Sequence, residues 1–211
     1  MMQRMKLQGW KSRTMTTATA SSNLSIERQD KTTSQVGMIL ALVSFTMMFA
    51  ALFYSYGLLR IRSISWPPPG VPQAPIVVPS IITVLIGISS VALERGRKAL
   101  AVGDLQRFGR YAIASMVLGG LFIGLQAGVW VQMWDAGLTL VVGPYASLFY
   151  FLTLFHALHV LAGLGLLLWM YVAVPRSASP VVRGSRAQLA SMFWHFVGAI
   201  WVVIFTLVYV F

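Results

Sequence analysis

Acidic side chains are scarce in this sequence. Five Asp and Glu stand against sixteen Lys and Arg among 211 residues, and there is no cysteine. Without cysteine there can be no disulfide, no thiolate zinc site and no cysteine-ligated iron–sulfur cluster. Charged residues make up 10% of the chain and hydrophobic residues 57%, where a soluble domain carries about 25% and about 45–50%. The acids are Glu27, Asp30, Glu94, Asp104 and Asp135, and none lies inside a long apolar run. Pumps and ion-coupled transporters place carboxylates within the membrane as stops for a proton or cation, so their absence argues against a stand-alone proton transporter. The sequence also lacks a P-loop, a GxGxxG fingerprint and a plausible Ser-His-Asp set.

What the sequence does contain is five apolar runs, each long enough or nearly so for the roughly 20 residues that span a bilayer core. They predict an all-α, integral membrane bundle with helices at 37–59, 76–94, 110–132, 145–173 and 189–210. The fourth is overlong and must tilt or begin outside the hydrocarbon. The net charge of +11 is not a nucleic-acid signal, because the cations lie between the apolar runs and in the N-terminal tail. With five spans, the tail, the second loop and the fourth loop share one side. They hold six, five and three of the sixteen Lys and Arg, against two in the first loop and none in the third. The positive-inside rule then puts the N-terminus in the cytoplasm and the C-terminus outside. Residues 1–35 read as a disordered basic cytoplasmic tail, although a transit peptide has a similar composition. Residues 36–211 form the membrane domain. Trp66, Trp130, Trp134 and Trp169 fall near span ends, where an indole can bury its body and keep its N–H wet.

Two features inside the spans invite a functional reading. Gly120, Gly124 and Gly128 recur every four residues, a ridge of small residues suited to close helix packing, with Gly119 and Ala127 widening it. His156 and His159 are separated by three residues and share a helix face. With His195 they could supply ligands to a metal or haem, but His195 sits near a span end and the other two near a span centre. No carboxylate within the membrane is available to orient a ligating imidazole. Hydrogen bonding is the plainer role, since each neutral imidazole has one donor and one acceptor to satisfy in the bilayer. Thr153, one turn before His156, offers a hydroxyl.

"FYFLTLFHALHVLAG" (149–163) and "WHFVGAIWVVIFTLVYVF" (194–211) resemble the subunit III signature of haem-copper oxidases. "ISWPPPGVP" (64–72), Ser89-Ser90, "GRKALAVGD" (96–104) and "GMILALVSFTMMFAALF" (37–53) match the family's loops and helices in order. The resemblance covers 36–211 and implies the short, five-helix form. The residues that carry it include Trp66, Pro67, Pro68, Pro69, Gln126, Trp130, Thr153, His156, His159, Trp194 and His195. It implies a subunit that is not catalytic by itself, with no cofactor or metal of its own. Haem and copper are expected in partner subunits. The partners are a catalytic subunit I, a subunit II and membrane phospholipids, in a bacterial plasma membrane. Three positions depart from the family, which usually carries acids where this chain has Phe45, Val129 and Gly198. Glu94 and Asp104 are the candidates for a proton-collecting loop, against the plainer reading that they offset neighbouring arginines. The rival readings are a subunit III-like protein of a nitric oxide reductase, a stand-alone haem- or metal-binding protein using His156, His159 and His195, and a free assembly scaffold.

Overall fold

The computed structural model describes residues 29, 31–66, 68, 70, 72, 74–177 and 179–210. Five long helices follow in order. α1 is bounded at Met2 and Arg62, with a described span Lys31–Arg62. α2 is Val77–Ala101, α3 Leu105–Asp135, α4 Pro144–Arg176 and α5 Pro180–Phe205. α5 continues into one π-helical turn, Thr206–Val210. Each helix is long and apolar enough to cross a membrane, as the hydrophobic runs predict. The tail falls almost wholly outside the described residues, and from Lys31 onward α1 is continuous helix to Arg62. Pro67, Pro69 and the C-terminal Phe211 also lie outside them.

α2 is longer than its apolar run. It continues to Ala101, so Arg95, Arg97 and Lys98 extend the helix instead of forming a loop. The link to α3 is only Val102–Asp104. The physical reason lies in local chemistry. Gly103 takes φ +83°, a left-handed conformation that costs glycine little. Asp104 then caps α3, accepting from the Arg107 amide at 2.9 Å. Similarly, α5 begins at Pro180, nine residues before its apolar run, because proline is pre-organised for the first helical turn and has no N–H to leave orphaned.

α5 packs against α1, α2 and α4, while α2 and α3 form the most extensive helix pair. Large apolar side chains such as Leu40, Met47, Val84, Val117, Phe151, Leu158 and Leu168 point outward. An apolar exterior over five such helices is what lipid, not water, accommodates. The chain is a multi-pass membrane protein. The α2–α3 and α4–α5 turns lie at one end of the bundle, here the basic end. The α1–α2 and α3–α4 connections lie at the other.

Candidate functional site

Without a hydrophobic drive between helices in lipid, close packing and hydrogen bonds must hold the bundle together. The core centres on Trp194, which is fully buried. Its indole fills a notch between two glycines on facing helices. A Cβ on Gly119 of α3 would stand 2.5 Å from Trp194 Cη2, and one on Gly163 of α4 would stand 3.0 Å from Cε3. At Gly119 the ring or the helix would have to shift to admit a Cβ, and at Gly163 the ring would have to give by a few tenths of an ångström. Trp194 Nε1–H donates to Ser89 Oγ at 3.1 Å, so the same side chain also reaches α2. Ser89 Oγ donates to the Ser115 carbonyl, and Ser115 Oγ donates back to the Ser89 carbonyl, both at 3.1 Å. This reciprocal pair clamps α2 to α3. One residue of α5 thus joins α2, α3 and α4.

Two further indoles repeat the device. Trp201 Nε1 donates to Thr83 Oγ1 at 3.0 Å, tying α5 to α2. Trp130 Nε1 donates to Thr153 Oγ1 at 3.0 Å, tying α3 to α4. Trp130 is therefore a helix tie as well as a residue near a span end. Near the π turn, Gln126 Nε2 donates to the Tyr209 hydroxyl at 3.4 Å. At the end opposite the basic turns, Trp66 stands edge-on to both Tyr56 and Tyr145, with ring centroids 5.3 and 5.1 Å apart.

The glycine ridge lies elsewhere than expected. Gly120, Gly124 and Gly128 have no heavy atom within 4 Å of where a Cβ would stand, and they face away from the other helices of this chain. The intrachain seam is one residue over, at Gly119. A helix turns about 100° per residue, so the neighbour that meets Trp194 and the ridge cannot share a face.

The rings of His156 and His159 lie among aromatic side chains. His156 is buried, with its ring 5.6 Å from Phe122, 6.3 Å from Phe49 and 5.4 Å from Trp201. It does not bond to Thr153, whose hydroxyl instead donates to the Phe149 carbonyl at 2.7 Å while accepting from Trp130. Neither His156 ring nitrogen has a protein partner. His159 finds its partner in its own helix, Nδ1 donating to the Phe155 carbonyl at 2.7 Å. Phe45 of α1 closes over it edge-on at 4.8 Å. His195 is half-buried beside the inward-facing Trp194. Among the described residues, no three His, Asp or Glu gather where they could hold a metal ion.

The departures from the family's acids sit in apolar packing. Val129 is fully buried. Gly198 is buried against α2, its Cβ position 3.6 Å from Ser90 Oγ and 3.7 Å from Ile86 Cγ1. At the basic end both acids are engaged. Glu94 pairs with Arg97 at 3.2 Å and Asp104 with Arg107 at 3.2 Å, and Arg97 also donates to Ser191 Oγ at 3.4 Å. This is the arrangement expected if they offset neighbouring arginines. Sequence reasoning did not single out Trp201 or Ser191. A tryptophan seven residues after Trp194, two turns along the same helix face, is the signal that could have found Trp201.

Helix spans, an apolar exterior and a core of indole-to-hydroxyl ties define a class: a multi-pass helical membrane protein. A family model described as cytochrome c oxidase subunit III matches residues 5–211, and the chain belongs to that family. It is 31% identical over 179 residues to cytochrome c oxidase subunit 3 of Thermostichus vulcanus, covering 83% of this chain and 86% of that one. Identity to the subunit 3 of Synechocystis sp. is 31% over 175 residues, covering 82% and 73%. Identity to that of Corynebacterium diphtheriae is 30% over 177 residues, covering 82% and 86%.

Proposed function

We propose that this chain is the accessory third subunit of a haem-copper terminal oxidase, lying beside a catalytic subunit I and a subunit II that carry the haem and copper. It contributes assembly and stability to the complex, with electrons passing only through its partners. It sits in a bacterial plasma membrane with its basic end in the cytoplasm, the orientation favoured by fourteen of the sixteen cations, and phospholipids surround its apolar exterior. His156 and His159 act as packing groups. Glu94 and Asp104 balance Arg97 and Arg107 and do not relay protons.

Family membership carries this reading. The use of Trp130, Trp194 and Trp201 to join helices supports it. The test is purification of the tagged chain in mild detergent. A haem-bearing partner co-purifies, and the chain separated from it shows no Soret absorption. If the chain runs alone with no haem-bearing partner, or absorbs visible light by itself, the proposal is wrong.

A further inference from the structure

At the end opposite the basic turns, α5 does not finish as an α-helix. Thr206–Val210 forms a π-helical turn, whose bonds close over one more residue than those of the α-helix. Its consecutive side chains Val208 and Tyr209 are both buried. The turn brings the Tyr209 hydroxyl to Gln126 of α3, which is itself buried. Tyr209 otherwise packs among rings, 6.1 Å from Phe149 of α4 and 6.3 Å from Trp201. A carboxamide and a phenol thus meet inside the apolar core. We infer that this pair binds one ordered internal water, held between the Gln126 carbonyl and the Tyr209 hydroxyl.

Hydrogen-bond arithmetic carries the inference. A glutamine side chain offers one carbonyl acceptor and an NH2 donor, and a tyrosine offers one O–H that both donates and accepts. Gln126 Nε2 donates to the Tyr209 oxygen at 3.4 Å, long against the usual span of about 2.7–3.2 Å. Gln126 Oε1 is buried with no partner among the described residues. Turning the amide over moves this defect without removing it. Oε1 would then accept from Tyr209, and the NH2 would become the buried group without a partner. A water removes the defect by closing a ring. The Gln126 N–H donates to the Tyr209 oxygen, the Tyr209 O–H donates to the water, and the water donates to Gln126 Oε1. Each bond in that ring has a donor facing an acceptor. In a spanning bundle no bulk water can take over this task, so an orphaned carbonyl is costly. An internal water with two or more polar partners is the common remedy. The hydroxyls of Tyr145 and Tyr56 stand within electrostatic reach of Tyr209, which makes the surroundings polar on a second side.

Both residues belong to this chain, so the test does not depend on which partners accompany it. High-resolution electron cryomicroscopy is applied to the detergent-purified complex that contains the chain, as wild type, Tyr209→Phe and Gln126→Met. The wild type shows a single-atom peak at about 2.6–3.2 Å from both Gln126 Oε1 and the Tyr209 oxygen. The peak is lost in each variant, while Trp201 still bonds to Thr83 on the neighbouring face. Infrared difference spectra of the same samples give a second reading. An O–H stretching band present in the wild type and missing from Tyr209→Phe shifts when the buffer is made with oxygen-18 water, as a band of the phenol itself does not. The wild-type map and its isotope shift suffice if a variant does not assemble. A wild-type map in which Gln126 and Tyr209 close to about 2.9 Å with no peak beside them, a peak that persists in both variants, or the absence of any isotope-sensitive band overturns the inference.

Discussion

Gly119 and Gly120 adjoin in the chain and meet opposite surroundings. A side chain at Gly119 would collide with Trp194 and Leu164, whereas one at Gly120 would meet no heavy atom of this chain within 4 Å. Both have the same composition and helix propensity, so the difference between them is purely tertiary. It shows that a small residue in a spanning helix has structural meaning only through what stands opposite. Gly119 has a two-ring partner locked on a second helix by a hydrogen bond to Ser89. The regular ridge of Gly120, Gly124 and Gly128 has none within the chain.

The strongest way to break the comparison is to empty the notch. Trp194→Ala removes the side chain that joins three helices to α5 and leaves a void between Gly119 and Gly163. It is expected to cost about 3–5 kcal/mol, read as a fall in the melting temperature of the subunit and its loss from the purified complex. Ser89→Ala keeps the ring but withdraws its acceptor, leaving the buried Trp194 N–H without a partner. That costs about 1–3 kcal/mol, and Ser89→Thr recovers part of it if the hydroxyl is what matters, as melting of the two variants will tell. The opposite pole is Gly124→Ala. Its Cβ has no neighbour in this chain, and alanine favours helix by about 1 kcal/mol over glycine. Chemical or thermal unfolding should therefore show an unchanged or slightly raised stability.

Much of this architecture was legible in the sequence. Five spans and the shared end of the second and fourth connections follow from apolar length and from the placement of Lys and Arg, quantities that depend on local composition. The ends of α2 and α5 were less legible because charged helix beyond the hydrocarbon has no hydropathy signal. Arg95–Lys98 look like a loop until Glu94 and Arg97 are seen paired along one helix face. The ridge's partner was illegible for a related reason. A four-residue period reports that a face is smooth, not that another helix lies against it. Thr153 illustrates the same limit, since it is one turn from His156 in sequence but serves Trp130 from another helix. Hydrogen-bond partners across helices depend on rotation about each axis, which no single run of residues encodes.

The most direct measurement is a matched pair, Gly119→Ala and Gly120→Ala, each melted in the same detergent-purified complex. A single methyl is added one residue apart on α3. The account predicts that Gly119→Ala lowers stability by about 1–3 kcal/mol, because the rigid Trp194 ring must move, while Gly120→Ala leaves it within about 0.5 kcal/mol of wild type. Equal losses at the two positions, or tolerance at Gly119, would contradict the claim that Trp194 is held in a glycine notch at the centre of this subunit.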